Sequence, residues 1–144
     1  MLTVDASVWV AVRYSSEPAN LECMQFFEQL DGTGLDLLSP TLLLVEVASA
    51  VARKSRNEAM GLRIAEEIAS LVEQRWYPLD ERLAVVAHSL AARLFLRGAD
   101  AVYIAVASVT GSTLITLDRE LITRAGEHVP IMTPAGWIAS HPRI

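Results

Sequence analysis

Three long stretches of this chain each carry a single charged side chain, and that pattern constrains the fold more than any other feature. From Met1 to Val12 the only charged residue is Asp5, from Leu37 to Ala52 it is Glu46, and from Gly98 to Leu117 it is Asp100. Asp118 follows directly on the third of these stretches. Segments this apolar are where an α/β protein builds its core. An ionised carboxylate buried there without a partner is so costly that it normally takes up a proton instead. No Lys or Arg lies inside these segments to neutralise the acids locally. A divalent cation is the other remedy, because hard ions such as Mg²⁺ are held by several oxygen ligands.

The pattern along the chain predicts short apolar strands alternating with helices. Met1–Val4 reads as a buried strand, with Asp5-Ala-Ser7 as the turn after it. Glu17–Leu30 reads as an amphipathic helix with Leu21, Met24, Phe27 and Leu30 at helical spacing. A loop at Asp31–Gly34 leads to a second strand at Leu35–Leu38, and Pro40 is suited to open the next helix at its first turn. That helix runs through Val51 to the basic cluster Arg53-Lys54-Ser55-Arg56. A further helix covers Glu58–Gln74, and Trp76–Leu79 gives a third strand. Asp80 is a natural N-cap for a helix reaching Leu96, and a small-residue helix follows from Ala99 to Val109. Thr113–Thr116 is the fourth strand, Arg119–Ala125 a short helix, Val129–Met132 the last strand, and Pro134–Ala139 a terminal helical turn. Such alternation indicates an α/β/α sandwich of three layers around a parallel sheet of about five short strands. No linker or repeat divides residues 1–144, so one domain is expected.

This arrangement brings the four acids to one place. Asp5 and Asp118 each lie just past a parallel strand, at the carboxyl edge where open α/β sheets form their binding crevice. Glu46 and Asp100 fall within the expected first turns of helices, where the helix N-terminus favours an anion. Ser7 and Thr116 are hydroxyls two residues from Asp5 and Asp118, placed to support the carboxylates. Each acid has a plainer alternative. Asp5 could cap a helix starting near Ser7, Asp118 could cap the helix at Arg119, Asp100 could be an ordinary helix-start charge beside Arg97, and Glu46 could be structural.

Composition narrows the remaining choices. Hydrophobic residues make up 52% and the net charge is −5, which excludes a broad nonspecific coat for nucleic acid but allows an acidic catalytic centre. The start of the chain runs straight into a strand pattern rather than a basic segment and apolar core, and no run is apolar enough for a membrane span. A single cysteine, Cys23, forbids an internal disulfide and reads as a core thiol near Phe26 and Phe27, so a reducing, cytoplasmic setting is expected. Two other acidic α/β classes fail. A phosphoacceptor receiver domain needs a late lysine, whereas the only lysine is Lys54. An Asp-x-Asp phosphatase needs an acid where Ser7 stands.

The motifs Val4-Asp5-Ala-Ser7, Pro40-x5-Glu46, Gly98-Ala-Asp100-Ala-x-Tyr-Ile-Ala-Val-Ala107 and Leu114-Ile-Thr116-Leu-Asp118-Arg-Glu-Leu121 resemble, in order and over essentially the whole chain, those of PIN domains. The VapC-type toxins of toxin–antitoxin pairs are the most similar group. The resemblance implies Mg²⁺- or Mn²⁺-dependent cleavage of RNA, homodimerisation and inhibition by a small cognate antitoxin. It assigns Asp5, Glu46, Asp100 and Asp118 to the family's acidic positions and Ser7 and Thr116 to its accompanying hydroxyls. A solitary RNA-processing or RNA-binding member without an antitoxin is the alternative. Attack by water rather than by the ribose 2′-OH predicts 5′-phosphate and 3′-hydroxyl products.

Arg13, Arg53, Lys54, Arg56, Arg97 and Arg119 are candidates for holding RNA phosphates, a task the planar guanidinium suits. Glu120 reads as a helix-surface charge. His88, His128 and His141 read as solvent-facing. Trp9, Trp76 and Trp137 could stack on bases but read more simply as packing groups. The face carrying Val45, Val47, Ala48 and Val51 offers a dimer contact or an antitoxin groove.

Overall fold

The computed structural model describes residues 1–142. Five short strands form one sheet in the order β3-β2-β1-β4-β5, and every pairing is parallel. The strands are β1 (Leu2–Val4), β2 (Leu37–Pro40), β3 (Gln74–Tyr77), β4 (Thr113–Ile115) and β5 (Ile131–Met132). Between them run α1 (Ala6–Ala11), α2 (Asn20–Leu30), α3 (Leu42–Ser55), α4 (Glu58–Ala69), α5 (Glu81–Leu94), α6 (Gly98–Thr110) and α7 (Arg119–Ala125), with α8 (Pro134–Ser140) last. Parallel neighbours require crossover connections, and their right-handedness puts helices on both faces of the sheet. The expected α/β architecture with a parallel five-stranded sheet is what forms.

The chain starts in the middle of the sheet, adds β2 and β3 on one side, then crosses back to place β4 on the other side of β1. The β1–β4 boundary is therefore the switch point at which such sheets open a crevice at their carboxyl edge. Register fixes what faces it. Val4 pairs with Ile115, so the next residues, Asp5 and Thr116, emerge side by side. The Asp5 N–H donates to the Ile115 carbonyl at 2.9 Å.

Helix α6 packs on β1, β2 and β4 and against α5. Every residue from Ala101 to Ala107 is buried, a wrapping that only an all-round apolar helix tolerates. On the other side, α3 and α4 pack so closely that a Cβ built on Gly61 would lie 2.6 Å from the Ala48 carbonyl oxygen. Cys23, Trp9 and Trp137 join this core, with Trp9 and Trp137 at 4% and 2% exposure, so the indoles of these two are packing groups and not surfaces for bases. Val47 and Val51 are fully buried, and of the apolar set offered for a partner only Val45 is largely exposed.

Several element boundaries differ from the sequence expectation, each for a local reason. The six residues of α1 were expected to begin as a turn, and apolar Ala-Ser-Val-Trp-Val-Ala carries no helical periodicity to announce a helix. Helix α2 starts at Asn20 instead of Glu17, because the Asn20 amide turns back to the carbonyls of Ala11 and Val12 and ties off α1. Pro40 ends β2 instead of opening α3. Proline is tolerated at a strand end, and the Thr41 N–H takes over the ladder by donating to the Tyr77 carbonyl. Helix α4 ends at Ala69, and Gln74, expected within it, is the first residue of β3.

Candidate functional site

The four acids sit around the β1–β4 switch point, each held by a different device. Asp5 is 8% exposed, and its Oδ2 accepts hydrogen bonds from Ser7 Oγ at 2.7 Å and Thr116 Oγ1 at 2.8 Å. Thr116 Oγ1 in turn accepts the Asp118 N–H at 3.1 Å, and Ser7 Oγ accepts the Leu117 N–H at 3.4 Å. Both hydroxyls singled out by the sequence therefore link the β1 and β4 ends. Asp118 is an N-cap as well as a candidate site acid: its Oδ1 accepts the N–H groups of Glu120 and Leu121 at 2.9 and 3.1 Å. Its Oδ2 faces away from that cap, toward Arg97.

Glu46 is the fifth residue of α3, which begins at Leu42, and so lies in the second turn, past the free N–H groups of the helix start. The expected support from a helix N-terminus does not reach it. Tyr103, on the facing side of α6, donates its hydroxyl to Glu46 Oε2 at 2.6 Å instead. Tyr103 was part of a recognised motif, but its partner is 57 positions away and no sequence spacing announces it. Burial and then the neighbouring Glu46 charge push the Tyr103 hydroxyl far above its ordinary pKa, so it remains a proton donor.

Arg97 supplies the counter-charge that seemed missing from the sequence. Its Nε donates to Asp100 Oδ2 at 2.8 Å and its Nη2 to Asp118 Oδ2 at 3.0 Å, so one guanidinium bridges the two outer acids. The inner acids, Asp5 and Glu46, are hydrogen-bonded by hydroxyls and by no guanidinium. Burial raises the Asp5 pKa, opposed by its hydroxyl donors and reinforced by the charge of Asp100. Burial likewise raises Glu46, opposed by Tyr103 and by Arg97 and reinforced by Asp5 and Asp100. These mutual effects mark one shared electrostatic field of excess negative charge. The expectation that Glu46 is held ionised by its helix is corrected accordingly.

Four carboxylates at one edge are the hard-oxygen donors that Mg²⁺ or Mn²⁺ prefers, and the repulsion between Asp5, Glu46 and Asp100 calls for a cation. In this conformation no three His, Cys, Asp or Glu side chains among the described residues are placed to grip one ion together. The guanidinium of Arg97 occupies one oxygen of Asp100 and one of Asp118. The donor set fits a divalent cation in its chemistry, and Arg97 would have to yield for the outer pair to take part.

The basic candidates are spread more widely. Arg53 lines a cavity of about 490 Å³ between α1 and α3, together with Ser7, Val10, Val45, Glu46 and Ser49. Lys54 is paired with Glu17 and lies over the Tyr14 ring, and Arg56 is exposed at the left-handed end of α3. Arg13 pairs with Glu67 at 3.5 Å and lines a different cavity beside Trp9 and Phe27. Arg119 is exposed at the start of α7. Glu120 is a surface residue paired with Arg124 at 2.6 Å. His88, His128 and His141 are exposed, and Cys23 is a fully buried thiol whose pKa burial pushes up to about 12.

Solved structures share this fold. VapC20 of Mycobacterium tuberculosis, described as a toxin cleaving the sarcin-ricin loop, superposes with a TM-score of 0.74 at 16% identity, covering 85% of this chain and 94% of its own. A toxin–antitoxin complex from Klebsiella pneumoniae gives 0.66 at 17% identity, covering 93% and 98%. PAE2754 of Pyrobaculum aerophilum gives 0.69 at 21% identity, covering 96% and 93%. No curated protein matches the chain by sequence. The PIN domain family model matches residues 2–127, a span that contains all four acids and both hydroxyls. The chain belongs to the PIN domain family.

Proposed function

We propose that this protein is a Mg²⁺- or Mn²⁺-dependent endoribonuclease of the VapC toxin type, with Asp5, Glu46, Asp100 and Asp118 as its working acids. The observation that carries this reading is the gathering of four carboxylates, from segments far apart in sequence, at the switch point of a parallel sheet. A divalent cation held there supplies Lewis acidity toward water and toward a phosphodiester. The chain's own groups do the rest. Ser7 and Thr116 aim the Asp5 carboxylate, Tyr103 fixes the Glu46 carboxylate by its donated hydrogen bond, and the α7 N-terminus orients Asp118. Arg53 stands on the adjoining groove beside Glu46, placed to receive a phosphate. Arg97, once off Asp100 and Asp118, is a second such donor.

The substrate is RNA, and the protein acts as a homodimer restrained by a small cognate antitoxin in the cytoplasm. The fold shared with a toxin and with a toxin–antitoxin complex supports that assignment. The test is cleavage of total RNA by the purified chain with Mg²⁺, Mn²⁺ or EDTA, followed by sequencing of the new ends. Metal-dependent cuts leaving 5′-phosphates, abolished in D5N and D100N, are expected. Undiminished cleavage in EDTA, or in either variant, would overturn the reading. Co-purification with a short neighbouring gene product would identify the antitoxin; an active chain without such a neighbour would point to a solitary RNA-processing enzyme.

A further inference from the structure

One large side chain beside the acids has no role in the site described above. Phe95 ends α5 in the left-handed conformation, with φ 55° and ψ 44°, and is 78% exposed. Helices close in this way on Gly or Asn, because a larger side chain is strained there. An exposed aromatic ring adds a second unfavourable feature at the same position. The buried face of α5 is made by Leu83, Ala87 and Leu90, and Phe95 takes no part in it.

The backbone that carries the ring is tied down. Arg124 Nη1 donates to the Phe95 carbonyl at 3.0 Å, while Arg124 Nε and Nη2 hold Glu120 Oε1 at 2.9 and 2.6 Å. Two residues on, Arg97 bridges Asp100 and Asp118. The turn between α5 and α6 is thus strapped to α7 by two guanidiniums, Arg97 reaching the N-cap Asp118 and Arg124 reaching back from the last turn. Phe95, Arg97, Asp100, Asp118, Glu120 and Arg124 line one cavity of about 400 Å³. An exposed aromatic residue thus lines the cavity that holds two of the four acids, with a guanidinium among its neighbours in that lining.

We propose that Phe95 is a stacking platform for an unpaired nucleobase of the RNA next to the cleaved phosphodiester. The proposal rests on the ribonuclease reading. The charged lining of the cavity disfavours an apolar protein segment, which would leave Arg97, Glu120 and Arg124 desolvated, whereas an aromatic face beside a guanidinium suits the flat, polar-edged ring of a nucleobase. Stacking needs an unpaired base that can be splayed out, so the substrate class is single-stranded RNA or a loop.

The test uses the full chain in a D5N background, which stops cleavage, and a short fluorescein-labelled single-stranded RNA of mixed sequence read by anisotropy. F95A and F95L are each expected to weaken binding about tenfold, which is about 1.4 kcal/mol. F95W is expected to retain binding, with its added indole emission quenched by the RNA. Thermal melts of all variants report folding, and a folded F95W that binds normally keeps the test decisive if F95A is unstable. F95L binding as tightly as Phe would make the contact mere apolar cover and overturn the proposal, as would F95A at full affinity. F95A with intact RNA binding but lost self-association in sedimentation would also overturn it, assigning the ring to a contact between copies. Failure of D5N itself to bind RNA would instead strike the ribonuclease reading, and the stacking role with it.

Discussion

Thr116→Val removes one oxygen and keeps the shape of the side chain, so it isolates the link between β1 and β4. Thr116 is fully buried; its Oγ1 donates to Asp5 Oδ2 at 2.8 Å and accepts the Asp118 N–H at 3.1 Å. A hydrogen bond to an ionised group contributes about 1.5–3 kcal/mol and a neutral one about 0.5–1.5 kcal/mol. The expected loss is therefore about 2–4 kcal/mol when Asp5 is ionised. For a chain of this length the unfolding entropy converts about 3 kcal/mol into a drop of about 10 °C in melting temperature. Urea unfolding in EDTA, with the same measurement on D5N and on D5N combined with T116V, reads both the loss and its origin. The charged part of the bond disappears in D5N, so the pair should be non-additive by about 1 kcal/mol or more. A T116V loss below about 1 kcal/mol, or simple additivity with D5N, would refute the assignment of Thr116 as a donor to a buried carboxylate.

Two further outcomes follow from the same structure. Asp5 and Glu46 have raised native pKa values, chiefly through burial, so the folded chain retains protons that the unfolded chain releases above about pH 4–5. Metal-free stability is then full below that range and falls as pH rises through the raised native values; D5N should flatten the slope and melt higher than wild type at neutral pH, whereas an identical slope in D5N would contradict the burial of an ionisable Asp5. Gly61→Ala forces a methyl to within 2.6 Å of the Ala48 carbonyl oxygen and 2.8 Å of the Ala52 Cβ; the overpacking, about 1–3 kcal/mol, should outweigh a helix-propensity gain of about 1 kcal/mol, and a variant at least as stable as wild type would contradict the close approach of α3 and α4.

What could be read from the sequence was governed by whether a signal is local. Asp5, Asp100 and Asp118 stood out because each is a lone charge beside apolar strands or an apolar helix, and the sheet register then sets Asp5 beside Thr116. Glu46 stood out for the same reason, but its environment was misjudged, since it lies beyond the first turn of α3 and its hydrogen-bond donor, Tyr103, comes from α6. Pro40 was ambiguous in its own right, because a proline before an apolar run can open a helix or close a strand. The six residues of α1, five of them apolar, were equally ambiguous. Long-range pairs left no trace in the chain. Tyr103 meets Glu46 across 57 positions and Arg97 meets Asp118 across 21. Arg97 adjoins an uncharged segment, so the sequence shows only that it is near Asp100, not that it bridges two acids. Phe95 looked like one more apolar residue of a helix expected to reach Leu96, until the helix ended at Leu94 and left the ring in solvent.

Titration of the metal-free chain with Mn²⁺, followed by electron paramagnetic resonance and repeated on D5N, E46Q, D100N and D118N, addresses the shared-cation arrangement without relying on RNA. Saturable binding should appear in the wild type, add about 2.7 kcal/mol of stability at a hundredfold excess over Kd and so raise the melting temperature, and weaken in each variant. An ion that binds equally well to all five proteins, or no saturable binding at all, would show that these carboxylates are balanced by Arg97 and by protons alone.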